Sequence, residues 1–486
     1  MLKLKQLKPF CLAVLLGGSA ALSTPAMATN EAMLDLLKAL YENGQITAEQ
    51  YELISNAAKA DAEAVEGIKA EAKQEVAEAT KDIPKVNIET DGKLVISDPD
   101  GDWEWQPIGR IFWDQIYVDD DGINDGDDVV GGGSELRRAR LGFEAKFAKY
   151  FEGKLEIDFA GSEVDWKDVW ISYNNKNSLG KWWLKFGQQH VPFGFATIAS
   201  SKYMTFVDRP YFADGPTPAR MVGVAFKQES EAKNRWFVHG GVFHTGLPGA
   251  GDTDNVNDSR ADTDEIVNAA IRVGGTPFYQ DDKHMLHVAG SYQYTDANGS
   301  AISYIDNILV SHIDDGGTLE ADFGTNAEDV NSWDVDVVGI WGPFHVFGEY
   351  VHWSVDDPDG DADLSAWSVD AGWFLTGESM KYKYGQLSGI SPNKPLNKGG
   401  WGAWQIAGRI QNMDLNDGPD IDGGEADSFS VALNWYPVKN VRVIADYTRV
   451  LDFECNNVGS SLTDDCETGA DGHEPSAIKL RGLVYW

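Results

Sequence analysis

RARLGFEAKFAKYFEGKLEIDFAG, residues 138–161, alternates with a period of two. Ala139, Leu141, Phe143, Ala145 and Phe147 fall on one face, with Arg138, Arg140, Glu144 and Lys146 on the other. After the short break AKY the pattern resumes, with Leu155, Ile157 and Phe159 against Lys154, Glu156 and Asp158. Successive side chains of a β-strand point to opposite faces, so the stretch reads as two strands joined by a tight turn. A half-buried strand of a soluble sandwich gives the same alternation over four to eight residues. Many runs in this chain approach ten, the length a tilted strand needs to cross a bilayer.

The same grammar recurs from about residue 103 onward. KWWLKFGQ and FSVALNWYP are further examples, and sixteen such runs can be placed between 103–118 and 475–486. Their connections alternate in kind. Tight turns such as AKY, WGPF and YPVKN lie on one side, longer Asp/Gly-rich segments on the other. Short inner turns, long outer loops and an even strand number describe an outer-membrane barrel. The segment 376–399, with ESMKYKYGQL, is read as a long inner-side connection rather than a seventeenth strand. The final run, SAIKLRGLVYW, places Ile478, Leu480, Val484 and Trp486 on one parity. A closed barrel has no free edge, so this strand is expected to pair with the first. The expected fold is an all-β transmembrane barrel of 16 antiparallel strands with an N-terminal helical periplasmic extension.

The chain opens with Lys3, Lys5 and Lys8, an apolar run CLAVLLGGSAAL and then STPAMA, the pattern of a secretory signal (1–28) cleaved after Ala28. Loss of those three lysines takes the formal charge from −37 to about −40. Such acidity opposes nucleic-acid binding, which needs a basic footprint. Residues 29–84 are rich in Ala, Glu and Lys, with Met33, Leu36, Leu37 and Leu40 at helical spacing. Gly44 breaks that helix and Thr47–Gln50 reads as a capping box opening a second. A thin stripe from Val65 to Val76 suggests a short coiled coil or an exposed single helix. Residues 85–102 are expected to be a linker or short hairpin, and 103–486 the barrel. Cys455 and Cys466 bracket a polar loop between the last two strands, and in an exported chain they are expected to form a disulfide.

The order of GRIFWDQ, LRRARLGFEAKF, KLEIDFAG, LKFGQQHVPFGFATIASSKYMTFVDRP, GAWQIAGRI and FSVALNWYPVKNVRVIADY resembles the phosphate-selective porins O and P, from about Trp105 to Trp486. The resemblance implies a trimeric sixteen-stranded channel in the outer membrane of a Gram-negative bacterium. It also implies that the third outer loop, here 189–218, folds into the pore. Arg110, the Arg137–Arg138 pair and Lys202 match family positions on the anion path, and Arg140 by alternation and Arg209 by its place in the inward loop are expected to join it. By alternation Arg110, Arg138 and Arg140 face the lumen and Arg137 a rim, with Asp114, Glu156 and Asp158 as competing ion-pair partners. Two departures weaken phosphate as the cargo. The central lysine of the family's inward loop is matched by Thr197, and the stretch 297–330, where the family carries an arginine-rich loop, holds no Lys or Arg.

The sequence is expected to form a passive pore for small hydrophilic solutes and ions, phosphate among the implied anions, without catalysis, metal or cofactor. Cationic side chains would line the constriction, and acidic loops 119–133, 297–330 and 355–362 would form the mouth. Outer-membrane lipid and lipopolysaccharide are the expected surroundings. DPDGD at 98–102 and 357–361 is read as solvated loop, since an EF-hand beginning at Asp98 would need Gly where Trp103 stands. The alternatives are a barrel enzyme with a site at its rim, and a secreted all-β glycan-binding protein. Neither an HExxH nor a G-x-S-x-G pattern occurs.

Overall fold

The computed structural model describes residues 25–79, 83–88, 93–119, 132–161, 164–214, 219–244, 267–296, 303–306, 309–313, 319–322, 328–356, 361–417, 421–454 and 474–486. Cys455 and Cys466 lie outside these residues, as do most of loop 119–133 and part of the second DPDGD. The chain divides into two compact units between Ile83 and Pro84.

The N-terminal unit is a helical hairpin of α1 (Pro25–Glu42) and α2 (Ala48–Ala79). Gly44 adopts a left-handed φ of 70° in the connecting turn, where a side chain would be strained. The Thr47 backbone N–H donates to Gln50 Oε1 at 3.0 Å, and the Gln50 N–H donates back to Thr47 Oγ1 at 3.3 Å. This is the reciprocal capping box that the sequence pattern predicts. Leu37 and Ala58 are buried between the helices, and Tyr41 stacks on Tyr51. Beyond this contact Val65 and Ile68 stay exposed within their unit.

The second unit is a closed sheet. Its sixteen barrel strands are β1 (Glu104–Asp119), β2 (Gly133–Phe147), β3 (Phe151–Asp158), β4 (Asp165–Asn177), β5 (Gly180–His190), β6 (Arg220–Glu229), β7 (Trp236–His244) and β8 (Val267–Asp281). They continue as β9 (His284–Asp296), β10 (Asp329–Trp341), β11 (Phe344–Asp356), β12 (Ala362–Phe374), β13 (Ala403–Asp417), β14 (Ile421–Val438), β15 (Val441–Glu454) and β16 (Ser476–Tyr485). Each pairs antiparallel with its sequence neighbour, and β16 closes on β1 from Ser476↔Asp119 to Tyr485↔Arg110. A small hairpin, Lys85–Ile88 with Leu94–Ser97, joins the edge of β1 through Ile96↔Trp105.

The distribution of side chains is the reverse of that in a soluble protein. On β10, Val330, Ser332, Asp334 and Asp336 are buried, while Trp333, Val335 and Val337 are exposed. On β15 the buried row is Arg442, Ile444, Asp446 and Thr448. Charge faces inward and hydrocarbon faces out, which suits a barrel whose outer solvent is lipid. No described helix is long and apolar enough to cross a membrane; the strands do so. Aromatic pairs gather near the tight-turn end, among them Trp404–Trp435, Phe344–Trp373 and Phe278–Trp341. Trp333–Tyr350 and Phe429–Tyr447 lie toward the other end. Trp333 and Trp341 on one strand are roughly 27 Å apart at about 3.4 Å per residue, so the two groups read as interfacial girdles.

Trp486 seals the seam. Its N–H donates to the Gly109 carbonyl at 3.1 Å, and the Gly109 N–H donates to its carbonyl oxygen at 3.3 Å. A Cβ on Gly109 would meet the indole ring at 2.2–2.8 Å. Gly109→Val should therefore expel the ring and destabilise the barrel by about 1–3 kcal/mol, the range for overpacking. A lower temperature for loss of the compact band in heat-modifiable gel mobility would show this.

Candidate channel and constriction

Three segments enter the lumen. The first is the inward loop after β5, residues 191–214, which the family resemblance implied at 189–218. It carries a short helical turn, Phe195–Ile198, whose free N–H groups at Phe195 and Ala196 donate to Glu349 Oε1 and Oε2 at 2.7 and 2.8 Å. Gly194 precedes it with φ of 68°, and a Cβ there would stand 2.8 Å from Glu349 Oε1. Thr197, at the family's lysine position, is buried.

The far side of this loop is fastened by cations on β13–β16. Arg481 donates to both carboxylate oxygens of Asp114, at 2.7 and 2.5 Å, and to the Val207 carbonyl at 2.5 Å. Arg442 donates to the carbonyls of Met204 and Thr205. Arg409 pairs with Asp370 and reaches the Asp208 carbonyl at 3.0 Å. Backbone carbonyls that have left a sheet need donors when buried, and here guanidinium groups supply them.

The second segment corrects an expectation. Loop 297–330 was assigned to an acidic mouth, yet residues 309–313 lie folded against the inward loop. Leu309 and Val310 bury their apolar side chains beside Tyr211 and Phe212, and the Tyr211 hydroxyl donates to the Leu309 carbonyl at 2.8 Å. His312 then joins three elements. Its Nδ1 lies 2.5 Å from Asp208 of the inward loop, and its Nε2 lies 2.6 Å from Glu135 and 3.2 Å from Asp114. A β-bulge beside Phe112 sets Asp114 opposite Glu135, two like charges that need a cation between them. Lys479 completes the cluster, donating to Asp208 at 2.9 Å.

The third is the inner-side connection 375–402, which turns up into the barrel instead of lying across its rim. It forms a short hairpin, Lys381–Lys383 with Gln386–Ser388. At its tip the Gly385 carbonyl accepts from Arg272, and the Tyr384 N–H donates to Asn234 Oδ1 at 3.0 Å. The Tyr382 hydroxyl lies 2.7 Å from His287 Nδ1. Alternation alone left this segment without a position, because its contacts depend on side chains from distant strands.

Between the inward loop, the 375–402 connection and the β1–β7 wall lies a cavity of about 400 Å³ lined, among the described residues, by nine Lys or Arg side chains and two carboxylates, a surplus of positive charge. All five expected anion-path residues, Arg110, Arg138, Arg140, Lys202 and Arg209, border it. Their states differ. Arg110 donates to both Glu156 oxygens at 2.8 and 3.0 Å and to Ser201. Arg140 pairs with Asp158 at 2.6 Å and Glu156 at 3.3 Å. Arg209 donates to the Ala199 carbonyl at 2.7 Å. Lys202 lies over the rings of Tyr203 and Tyr485. Lys154, Lys185, Arg220 and Lys227 also line the cavity. Their lumen parity was readable in the sequence, but their convergence depends on register.

A sixteen-stranded barrel with an apolar exterior, a charged interior and an inward loop defines the class of outer-membrane porins. The chain belongs to the phosphate-selective porin O and P family, whose description matches residues 109–452, and it is an outer-membrane channel. An uncharacterized protein of Caulobacter vibrioides is 26% identical over 370 residues, covering 73% of this chain and 70% of the relative. Among solved structures, the trimer form of OmpT of Vibrio cholerae is 16% identical with a TM-score of 0.45, covering 79% of this chain and 99% of that one. The anion-selective porin from Comamonas acidovorans is 10% identical with a TM-score of 0.45, covering 79% and 100%. The outer membrane channel DcaP of Acinetobacter baumannii is 13% identical with a TM-score of 0.44, covering 80% and 99%.

Two outcomes test the constriction. Arg481→Met removes the donor to Val207 and leaves Asp114 short of its partner, a loss of about 3–5 kcal/mol for a broken buried pair. Single-channel recordings should show larger, noisier currents as the inward loop loosens. Burial alone would lower the pKa of His312, but Asp208, Asp114 and Glu135 hold it up at about 9. A raised pKa means the clasp is fully formed below the ordinary value of about 6.5 and is lost as pH rises through 9. Gating noise should therefore increase between about pH 8 and pH 10, and His312→Ala should show that noise already at neutral pH.

Proposed function

We propose that the chain is a passive, non-catalytic channel for small hydrophilic anions, assembled as a homotrimer, with its helical hairpin in the periplasm. The observation that carries the anion preference is the positive surplus in the cavity between the inward loop and the β1–β7 wall. Family membership supports the trimer, and the change of composition at Pro84 supports a separate helical extension. Arg138, Lys202 and Arg209 are the proposed contributors to selectivity. Arg110 and Arg140, tied to Glu156, shape the wall and hold its charge in place. Side chains lining a polar lumen set ion preference without a chemical cycle.

Phosphate is not proposed as a tightly held cargo. Thr197 stands at the family's central lysine position, and the stretch 297–330 has no Lys or Arg to attract phosphate. Exposed charges are screened beyond about 8–10 Å in physiological salt, so the acidic outer loops act mainly when salt is dilute. Reversal potentials in asymmetric KCl should show mild anion preference at high salt, declining as salt falls. Arg138→Ala should reduce that preference, and phosphate should leave the chloride current unblocked at micromolar concentration. Cation preference at every salt concentration would overturn the reading.

A further inference from the structure

We propose that the lumen holds a binding recess for a planar organic anion, an aryl carboxylate, centred on Lys185. This rests on the porin reading and narrows it to a class of solute.

Lys185 lies on the lumen face of β5. Its ammonium stands 4.2 Å from the centroid of Trp170 on β4 and 4.4 Å from that of Trp183 on its own strand. The neighbouring cations have carboxylate partners. Lys154 and Arg220 share Asp168 at 2.8 and 3.2 Å, and Lys227 has Glu229 at 3.1 Å. Among the described residues no carboxylate lies within 4.0 Å of Lys185, and its charge rests on two indole faces. Indole faces attract a cation through the ring quadrupole but do not neutralise it. Asp168 attracts the ammonium from beyond ion-pair distance and is already shared by Lys154 and Arg220, so Lys185 can take a counter-anion from solution beside the two flat rings.

The strand register keeps the approach open. Lys185 pairs with Ala225, and Gly187 stands opposite Trp170, so small residues flank the ammonium. On β7, His239 packs edge-on to Trp183 with ring centroids 5.0 Å apart. His239 borders the same cavity, with its Nε2 buried. The recess thus offers an ammonium without a carboxylate in ion-pair contact, beside two aromatic planes. The lumen cavity onto which the recess opens, about 400 Å³, is within the range of small-molecule sites and admits solutes larger than chloride or phosphate. An inorganic anion would use the ammonium and leave the aromatic surface idle. An aryl carboxylate places its charge on Lys185 and its ring against Trp170 or Trp183, the offset or edge-to-face contact that aromatic pairs favour.

The test reconstitutes the full chain in planar bilayers and titrates sodium benzoate, acetate and inorganic phosphate against a fixed chloride current. Benzoate should block at a concentration at least about tenfold below acetate, a factor equivalent to about 1.4 kcal/mol, and below phosphate. Trp183→Ala and Trp170→Ala should bring benzoate toward the acetate value, while Trp183→Phe, which keeps a ring, should retain most of the difference. Lys185→Gln should weaken block by both carboxylates. Heat-modifiable mobility confirms that each variant has folded. Equal block by benzoate and acetate in an anion-preferring channel overturns the recess and leaves the porin reading intact. Absence of any current from folded protein overturns both. Stronger block by phosphate than by benzoate, or unaltered benzoate block in both alanine variants, also overturns the proposal.

Discussion

Arg481 joins the barrel's closure to its constriction. It stands on the last strand, in register with Asp114 on the first, and grips that carboxylate with two nitrogens while a third reaches the Val207 carbonyl. The seam is therefore also where the inward loop is fastened. A lumen that must contain charge can keep it only if each buried charge is matched. Arg442, Arg409 and Lys479 extend the same solution along β13–β16, pairing wall cations with loop carbonyls and with Asp208.

The two walls consequently differ in what remains for a solute. On β13–β16 the guanidinium groups are engaged with the inward loop. On β1–β7 the cations face open space, some held by Glu156 and Asp168 and two, Lys185 and Lys202, resting on aromatic rings. The passage is thus chemically one-sided. A solute meets protein backbone on one flank and ammonium, guanidinium and indole on the other.

The barrel was legible in the sequence because strand parity is a local property. The row Val441, Val443, Ala445 facing lipid and Arg442, Ile444, Asp446 facing inward needs no knowledge of distant residues. All sixteen strands fall where the alternation put them, their ends within about six residues. The loops were less legible, since their positions depend on partners far along the chain. Phe195 is capped by Glu349, 154 residues away, and Met204 by Arg442, 238 away. One local signal was available for the second lumen segment, the apolar pair Leu309–Val310 in an otherwise acidic loop. The ion pairing of Arg110 and Arg140 with Glu156 was foreseen as a competing possibility, and register decided it. Lys185 had the right parity all along, but its two indoles converge only when β4 is laid beside β5.

Because chain enters the lumen from both ends, the inward loop from outside and the 375–402 hairpin from inside, the electrolyte column is not uniformly wide. Resistance along such a column is greatest where its cross-section is least. A voltage imposed across the membrane therefore falls most steeply where the inward loop and the hairpin leave the electrolyte column narrowest. Permeant charge is sorted within that thin slice, and the remainder of the barrel serves as its electrical lead.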